Sequence, residues 1–196
     1  MEHIRQPLEF PVGGVIAGNA VRALDVSEWS GPSTARQWRA AVRKGTGIAI
    51  VKLGTEHTGQ QLAAARSGGV GMLAGYLVVP AHRQVDIPGG LGFVAIDVEE
   101  NGVTPVDLHD AEASIRAAGS EPIIYTSRSI WGRLKLPPSS LELWDAAWGE
   151  KPGAGFRQYG SWIKRVGHQY GANINRFGFL ADASVFDRGW LHGLIT

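Results

Sequence analysis

Asp97 and Glu99 are the residues best placed for chemistry in this chain. They sit at the acidic end of the segment Leu91-Gly92-Phe93-Val94-Ala95-Ile96-Asp97-Val98-Glu99-Glu100. An apolar run that turns acidic only at its last residues reads as a buried strand whose carboxyl end opens into a cleft. Residues two apart on a strand share a face, with Cα atoms roughly 6–7 Å apart, so both carboxyl groups project together. Neighbouring carboxylates resist simultaneous ionisation, and one keeps its proton to higher pH. A protonated acid beside a second carboxylate is what glycosidic cleavage requires. Taken alone, an Asp-x-Glu pair is more often a strand end entering solvent, so the chemistry needs further acids converging on the same place.

Two other strand ends supply them. Leu24-Asp25-Val26-Ser27-Glu28-Trp29 places Asp25 after an apolar start, and Leu180-Ala181-Asp182-Ala183-Ser184-Val185-Phe186 places Asp182 similarly near the C-terminus. Closure of a barrel would bring the first and last strands together, gathering these acids into one pocket. Tyr76, Tyr125, Trp148 and Tyr159 also fall near strand ends, where rings can stack on sugar faces and hydroxyls can bond to substrate. Gln158 fits either a site or a surface role. Trp29, Trp38, Trp131 and Trp190 read as packing residues. The histidines lack metal-ligand spacing and read mostly as surface residues, so no metal is expected. The glycine-rich stretch Gly69–Gly75 leads into a strand instead of opening a helix, which argues against a phosphate or dinucleotide loop.

Positioning these side chains requires an alternation of short apolar β-rich runs with helical stretches, the habit of a parallel α/β protein. The expected strands are Ala23–Trp29, Gly47–Leu53, Met72–Val79, Gly92–Val98, Pro122–Thr126, Leu143–Trp148, Phe156–Ser161 and Ala181–Phe186. Eight is the number that closes a TIM-like barrel. Thr34–Lys44 is the clearest helix, with Ser33 or Thr34 as its cap and Gly45 ending it, and Val106–Ala118 is the second. Between Val79 and Gly92 the residues Pro80, Pro88, Gly89 and Gly90 break any crossover helix, so helical cover is incomplete.

The bulk properties narrow the function. A chain of 196 residues, 44% hydrophobic and 19% charged, is expected to form one soluble domain with a substantial core. A formal net charge of +1 offers no basic field for nucleic acid. Without cysteine there is no disulfide, thiolate nucleophile or cysteine-bound zinc. No stretch approaches a membrane span. The segment 1–21 reads as an N-terminal arm of unassigned role, open to self-association or a partner, ahead of a barrel over 22–196. Glu2, Glu9, Pro11 and Gly13-Gly14 argue against a secretory signal within it.

In order along the chain, Asp25-Val26-Ser27-Glu28-Trp29-Ser30-Gly31, Val51-Lys52, Ala74-Gly75-Tyr76, Ile96-Asp97-Val98-Glu99, Ile124-Tyr125-Thr126, Leu143-Trp144, Gln158-Tyr159, and Asp182 with Phe186 resemble the family 25 glycoside hydrolases, the Chalaropsis-type lysozymes. The resemblance spans about residues 23–187 and implies a cofactor-free muramidase. Such an enzyme cleaves the β-1,4 bond between N-acetylmuramic acid and N-acetylglucosamine in peptidoglycan. It further implies that Glu99 is the general acid/base, that Asp97 orients the 2-acetamido group, and that Asp25 and Asp182 complete an acidic floor. Tyr76, Tyr125, Trp148, Gln158 and Tyr159 would contact the glycan. Configuration would be retained, with the acetamido group as internal nucleophile.

Some positions depart from the family pattern: Leu77 and Val78 follow Tyr76 in place of His and an aromatic, Ser184 stands where Asn is common, and Trp148 replaces a Tyr. They leave open a barrel retired from catalysis that serves as a virion structural or wall-binding protein. They also leave open a glycosidase for another amino-sugar polymer such as chitin. The expected place of action is the bacterial cell wall, reached by lysis, a holin or carriage on a virion, as for a bacteriophage endolysin or a bacterial wall-remodelling enzyme.

Overall fold

Chain order is also spatial order in this molecule: among the described residues eight strands pair successively into a closed barrel. The computed structural model describes residues 19–79, 85–175 and 177–194. Strand β1 (Ala20–Val26) is followed by helix α1 (Ala35–Arg43), β2 (Thr46–Lys52), α2 (Thr58–Ser67) and β3 (Met72–Val79). Then come β4 (Phe93–Val98), α3 (Pro105–Ala117), β5 (Glu121–Thr126), α4 (Arg128–Leu134), β6 (Glu142–Ala146), β7 (Gly167–Asn175), β8 (Leu180–Asp187) and α5 (Arg188–Gly193). Pairings from β1 through β7 are parallel. Strand β8 runs antiparallel to both β7 and β1 and closes the ring. The expected TIM-like barrel of eight strands with incomplete helical cover is borne out, with an antiparallel closing strand as a modification.

The strands' two-residue period sorts side chains into two cores. Ala23, Ile48, Ile50, Ala74, Phe93, Ala95, Ile123, Trp144 and Phe186 fill the barrel interior. Their alternates, including Leu24, Ala49, Val51, Val94, Ile96, Ile124 and Leu143, face outward against the helices. Helix α1 starts at Thr34, whose side chain caps the Gln37 amide while Gln37 returns a bond to the Thr34 amide. Trp38 from the same helix is wholly buried and packs on Phe179. Thr104 and Asp107 form the same reciprocal cap on α3. On β7, Gly167 admits the barrel aromatics: a Cβ there would stand 2.5 Å from the Phe186 ring and 2.8 Å from Trp144.

Several expectations are corrected. Phe156–Ser161 is not a strand; it contributes one isolated bridge between Tyr159 and Trp162, within a long loop between β6 and β7. The seventh strand is Gly167–Asn175, whose polar, glycine-containing sequence lacks the apolar run that marks its neighbours. Helices α2, α4 and α5 were not anticipated; α2 lacks the side-chain cap that marks α1 and α3, and α4 and α5 span only seven and six residues. Strand β1 already includes Ala20 and Val21, which were assigned to the arm. Residues 1–18 of that arm lie outside the described residues, and residues 85–91 hold no helix.

Candidate active site

The apolar filling of the barrel ends where the strands reach their carboxyl ends, and there the acids begin. Asp25 follows Ala23 on the inner face of β1, and Asp97 follows Ala95 on that of β4. Glu99 continues the same face one step beyond β4 and is half-buried. Asp182 stands directly opposite Asp25 in the antiparallel register between β8 and β1. Thus the one antiparallel seam beside β1 sets two carboxyl groups against each other. Asp25, Asp97, Glu99, Asp182, Tyr76 and Asn173 are shared by two adjoining cavities of about 340 and 210 Å3, which together form one cleft.

The first lobe continues to Trp29, Ser30, Lys52 and Glu100. Into the second project Tyr125, Trp148 and Gln169. Gln169, only 2% exposed, organises that lobe. Its Oε1 accepts from the Tyr125 hydroxyl at 2.7 Å and from Trp148 Nε1 at 2.6 Å. Its Nε2 donates to Asp25 Oδ1 at 3.1 Å and to Asp182 Oδ2 at 3.4 Å. Two donors at the oxygen and two carboxylates at the nitrogen fix the orientation of the amide. Irregular pairing around Gly171 and Ile174 bends β7, and the left-handed Asn173 there donates its backbone N–H to Asp182 Oδ1 at 2.6 Å.

This arrangement shifts the acids upward. Burial raises the Asp25 carboxyl well above the ordinary range, and Asp182 adds to the effect. Asp97 is likewise raised well above that range by burial and by Glu99, with Lys52 opposing. Burial and then Asp182 raise Glu99. Asp182 is raised by burial, against the Asn173 N–H bond. Asp97 Oδ1 and Asp25 Oδ2 are buried without a hydrogen-bond partner. A buried, unpartnered carboxylate oxygen in a cleft is an acceptor awaiting a donor. At the edge, burial alone would raise Glu28, but the 2.7 Å hydrogen bond from Lys52, a backbone hydrogen bond and the Lys52 charge together outweigh it and lower the carboxyl. Among the described residues no cluster of His, Asp and Glu could hold a metal ion.

Of the residues singled out from the sequence, Asp25, Tyr76, Asp97, Glu99, Tyr125, Trp148 and Asp182 therefore meet in one cleft. Gln158 and Tyr159 do not line it. Gln158 is exposed on the β6–β7 loop. The Tyr159 ring joins the outer core, and its hydroxyl donates to Asp145 Oδ1 at 2.8 Å. The chain contains a second Gln-Tyr pair, Gln169-Tyr170, and it is this one that lies on a barrel strand. Its position shortly before Asp182 was the available signal. Trp29, expected to pack, is 81% exposed at the cleft mouth, whereas Trp38 and Trp131 are buried. His168, expected at the surface, is buried on the outer face of β7. Its Nδ1 accepts from the Gly153 N–H while Nε2 faces the Ala147 carbonyl, and Arg165 beside it pairs with Asp145 at 2.6 Å.

No protein-family profile and no curated protein matches the sequence. Solved structures do share its fold. A family GH25 lysozyme from Aspergillus fumigatus superimposes with a TM-score of 0.69 at 17% identity, covering 89% of this chain and 98% of that one. A bacterial lysozyme from Streptomyces coelicolor gives 0.65 at 18% identity over 91% and 98% of the two chains. The catalytic domain of an endolysin from bacteriophage P40 of Listeria monocytogenes gives 0.62 at 16% identity, with coverages of 89% and 96%. The chain thus has the barrel fold seen in family 25 lysozymes and endolysins.

Proposed function

We propose that this chain is a cofactor-free N-acetylmuramidase that cleaves the β-1,4 bond between N-acetylmuramic acid and N-acetylglucosamine in bacterial peptidoglycan. The observation that carries this reading is the convergence of Asp25, Asp97, Glu99 and Asp182 at the carboxyl end of the barrel, where such folds build their sites. The lysozyme fold of its structural neighbours supports the same class of reaction.

Glu99, held protonated to higher pH than an ordinary carboxyl, delivers its proton to the glycosidic oxygen as the C1–O bond breaks. The carbonyl oxygen of the 2-acetamido group attacks C1 from the opposite face, giving a cyclic oxazolinium intermediate. Asp97 Oδ1, buried and without a protein partner, receives the acetamido N–H and orients that attack. Water then opens the intermediate while Glu99, now ionised, removes its proton, so configuration is retained and the acid is restored. Asp25 and Asp182 keep the floor acidic and hold Gln169, and with it the Tyr125 hydroxyl and the Trp148 indole. No helix among the described residues is long and apolar enough to cross a membrane. The enzyme acts at the cell wall, which it reaches by lysis, a holin or carriage on a virion.

The test is release of reducing ends from purified peptidoglycan, with mass spectrometry identifying the sugar at each new end. Muramic-acid ends released by the wild type and absent with Glu99→Gln are the expected result. Glucosamine ends would reassign the bond, and no release across several wall types and pH values would overturn the reading.

A further inference from the structure

We propose that Trp29 is a stacking platform for a neutral N-acetylhexosamine ring, at the end of the cleft opposite Trp148. The inference rests on the glycan-cleaving reading above and extends it to where the polymer lies. At 81% exposed, Trp29 shows more of itself than any other large hydrophobic residue among those described. An indole left in water contributes almost nothing to folding, so its placement calls for another reason. The turn that carries it is firmly built. Ser27 and Ser30 cap one another across the short 3-10 turn Glu28–Ser30. The wholly buried Gln61 donates from Nε2 to the carbonyls of Ser27 and Gly31, both at 2.9 Å. Lys52 holds Glu28 from the other side. A large apolar face is thus offered to solvent on a fixed mount, which reduces the ordering that binding must impose.

Trp29 lines the larger cavity and Trp148, 58% exposed, lines the smaller; the four acids lie where the two cavities join. A glycan whose scissile bond sits over Glu99 therefore meets one exposed indole on each side. Sugar rings carry an apolar C–H face that packs on an indole. The charge of the larger lobe selects among rings: Lys52 is paired with Glu28, and the carboxyl groups lining the lobe are Asp25, Asp97, Glu99, Glu100 and Asp182. A free ring carboxylate meets like charges there, whereas a neutral acetamido sugar does not.

The experiment is calorimetric titration of the Glu99→Gln protein with the N-acetylglucosamine tetramer, repeated with Trp29→Ala, Trp29→Phe and Ile163→Ala added. Trp29→Ala is expected to weaken binding about tenfold, Trp29→Phe to retain most of it, and Ile163→Ala, which removes an exposed apolar group away from the cleft, to change nothing. Thermal melts check that each variant is folded. Equal affinity in Trp29→Ala would overturn this inference and leave the muramidase reading standing. A wild type that cleaves peptidoglycan, with a parent that does not bind the tetramer, would overturn the neutral-ring assignment. Neither cleavage nor binding would overturn both.

Discussion

Gln169 and Asp25, 144 residues apart in the chain, meet at the floor of the cleft, where Gln169 Nε2 donates to Asp25 Oδ1 at 3.1 Å. The same amide oxygen gathers the Tyr125 hydroxyl and the Trp148 indole. One buried side chain therefore links the first strand, the fifth strand and the loop after the sixth. Each group it holds faces the space in which the glycan is proposed to lie.

Gln169→Leu keeps the volume and removes every one of these bonds. Leaving buried donors unmatched costs about 1–3 kcal/mol. Turnover on peptidoglycan should fall at least tenfold, and the melting temperature should fall with it. Unchanged turnover in a folded Gln169→Leu protein would show that the network does not organise the site.

The pH profile has a defined sign. Glu99 acts as an acid, so activity is complete below its raised pKa and declines as pH rises through it. Burial is the main cause of the shift, and the charge of Asp182 adds to it. Asp182→Asn removes that charge, so the alkaline limb of kcat/KM should move to lower pH in whatever activity remains. A limb that stays in place or moves upward contradicts the assignment.

Stability should run against function at Asp25. Its folded pKa lies well above its unfolded value, so the folded state binds the extra proton between the two. Stability is then full below the ordinary carboxylate range and is lost as pH rises through the folded pKa. Asp25→Asn removes this loss while keeping an acceptor for Gln169. At neutral pH it should raise Tm, by roughly 2–4 °C for each kcal/mol relieved in a chain of this size, and the gain should vanish in acid. Activity should drop in the same variant. Scanning calorimetry at neutral and acid pH reads the first effect and peptidoglycan cleavage the second.

The β6–β7 loop offers a structural contrast. Tyr159→Phe loses one hydrogen bond to Asp145 and should cost about 1 kcal/mol with turnover within about twofold of wild type. Arg165→Met leaves buried Asp145 without its countercharge, which costs about 3–5 kcal/mol. Urea unfolding measures both. A tenfold loss of turnover in Tyr159→Phe at near-native stability would place that hydroxyl in the catalytic machinery after all.

Much of this was legible along the chain. The strands bearing Asp25, Asp97 and Asp182 show as apolar runs ending in acid, because a barrel strand is buried along its length and leaves the core only at its tip. Their convergence was the expectation that a count of eight strands suggested, although one of those strands was misplaced, and it rests on the pairing of β1 with β8. The caps at Thr34 and Thr104 are local by nature, and the helices they start were anticipated within a residue or so.

Other features depend on which distant segments touch, and short-range pattern carries no record of that. Two Gln-Tyr pairs occur, and only the pairing of Gly167–Asn175 with β6 and β8 brings Gln169, and not Gln158, into the cleft. An aromatic after a strand reads as core; Trp29 is exposed because Gln61 and Lys52, from later elements, hold its turn at the cleft mouth. The antiparallel return of β8 sets Asp182 against Asp25 through a register between the first and last strands that no local spacing specifies. Residue order along the chain settled which acids stand at strand ends, since burial writes a two-residue period into the sequence. Tertiary pairing alone decided how those acids are held and what faces them, since those contacts join residues that the chain keeps far apart.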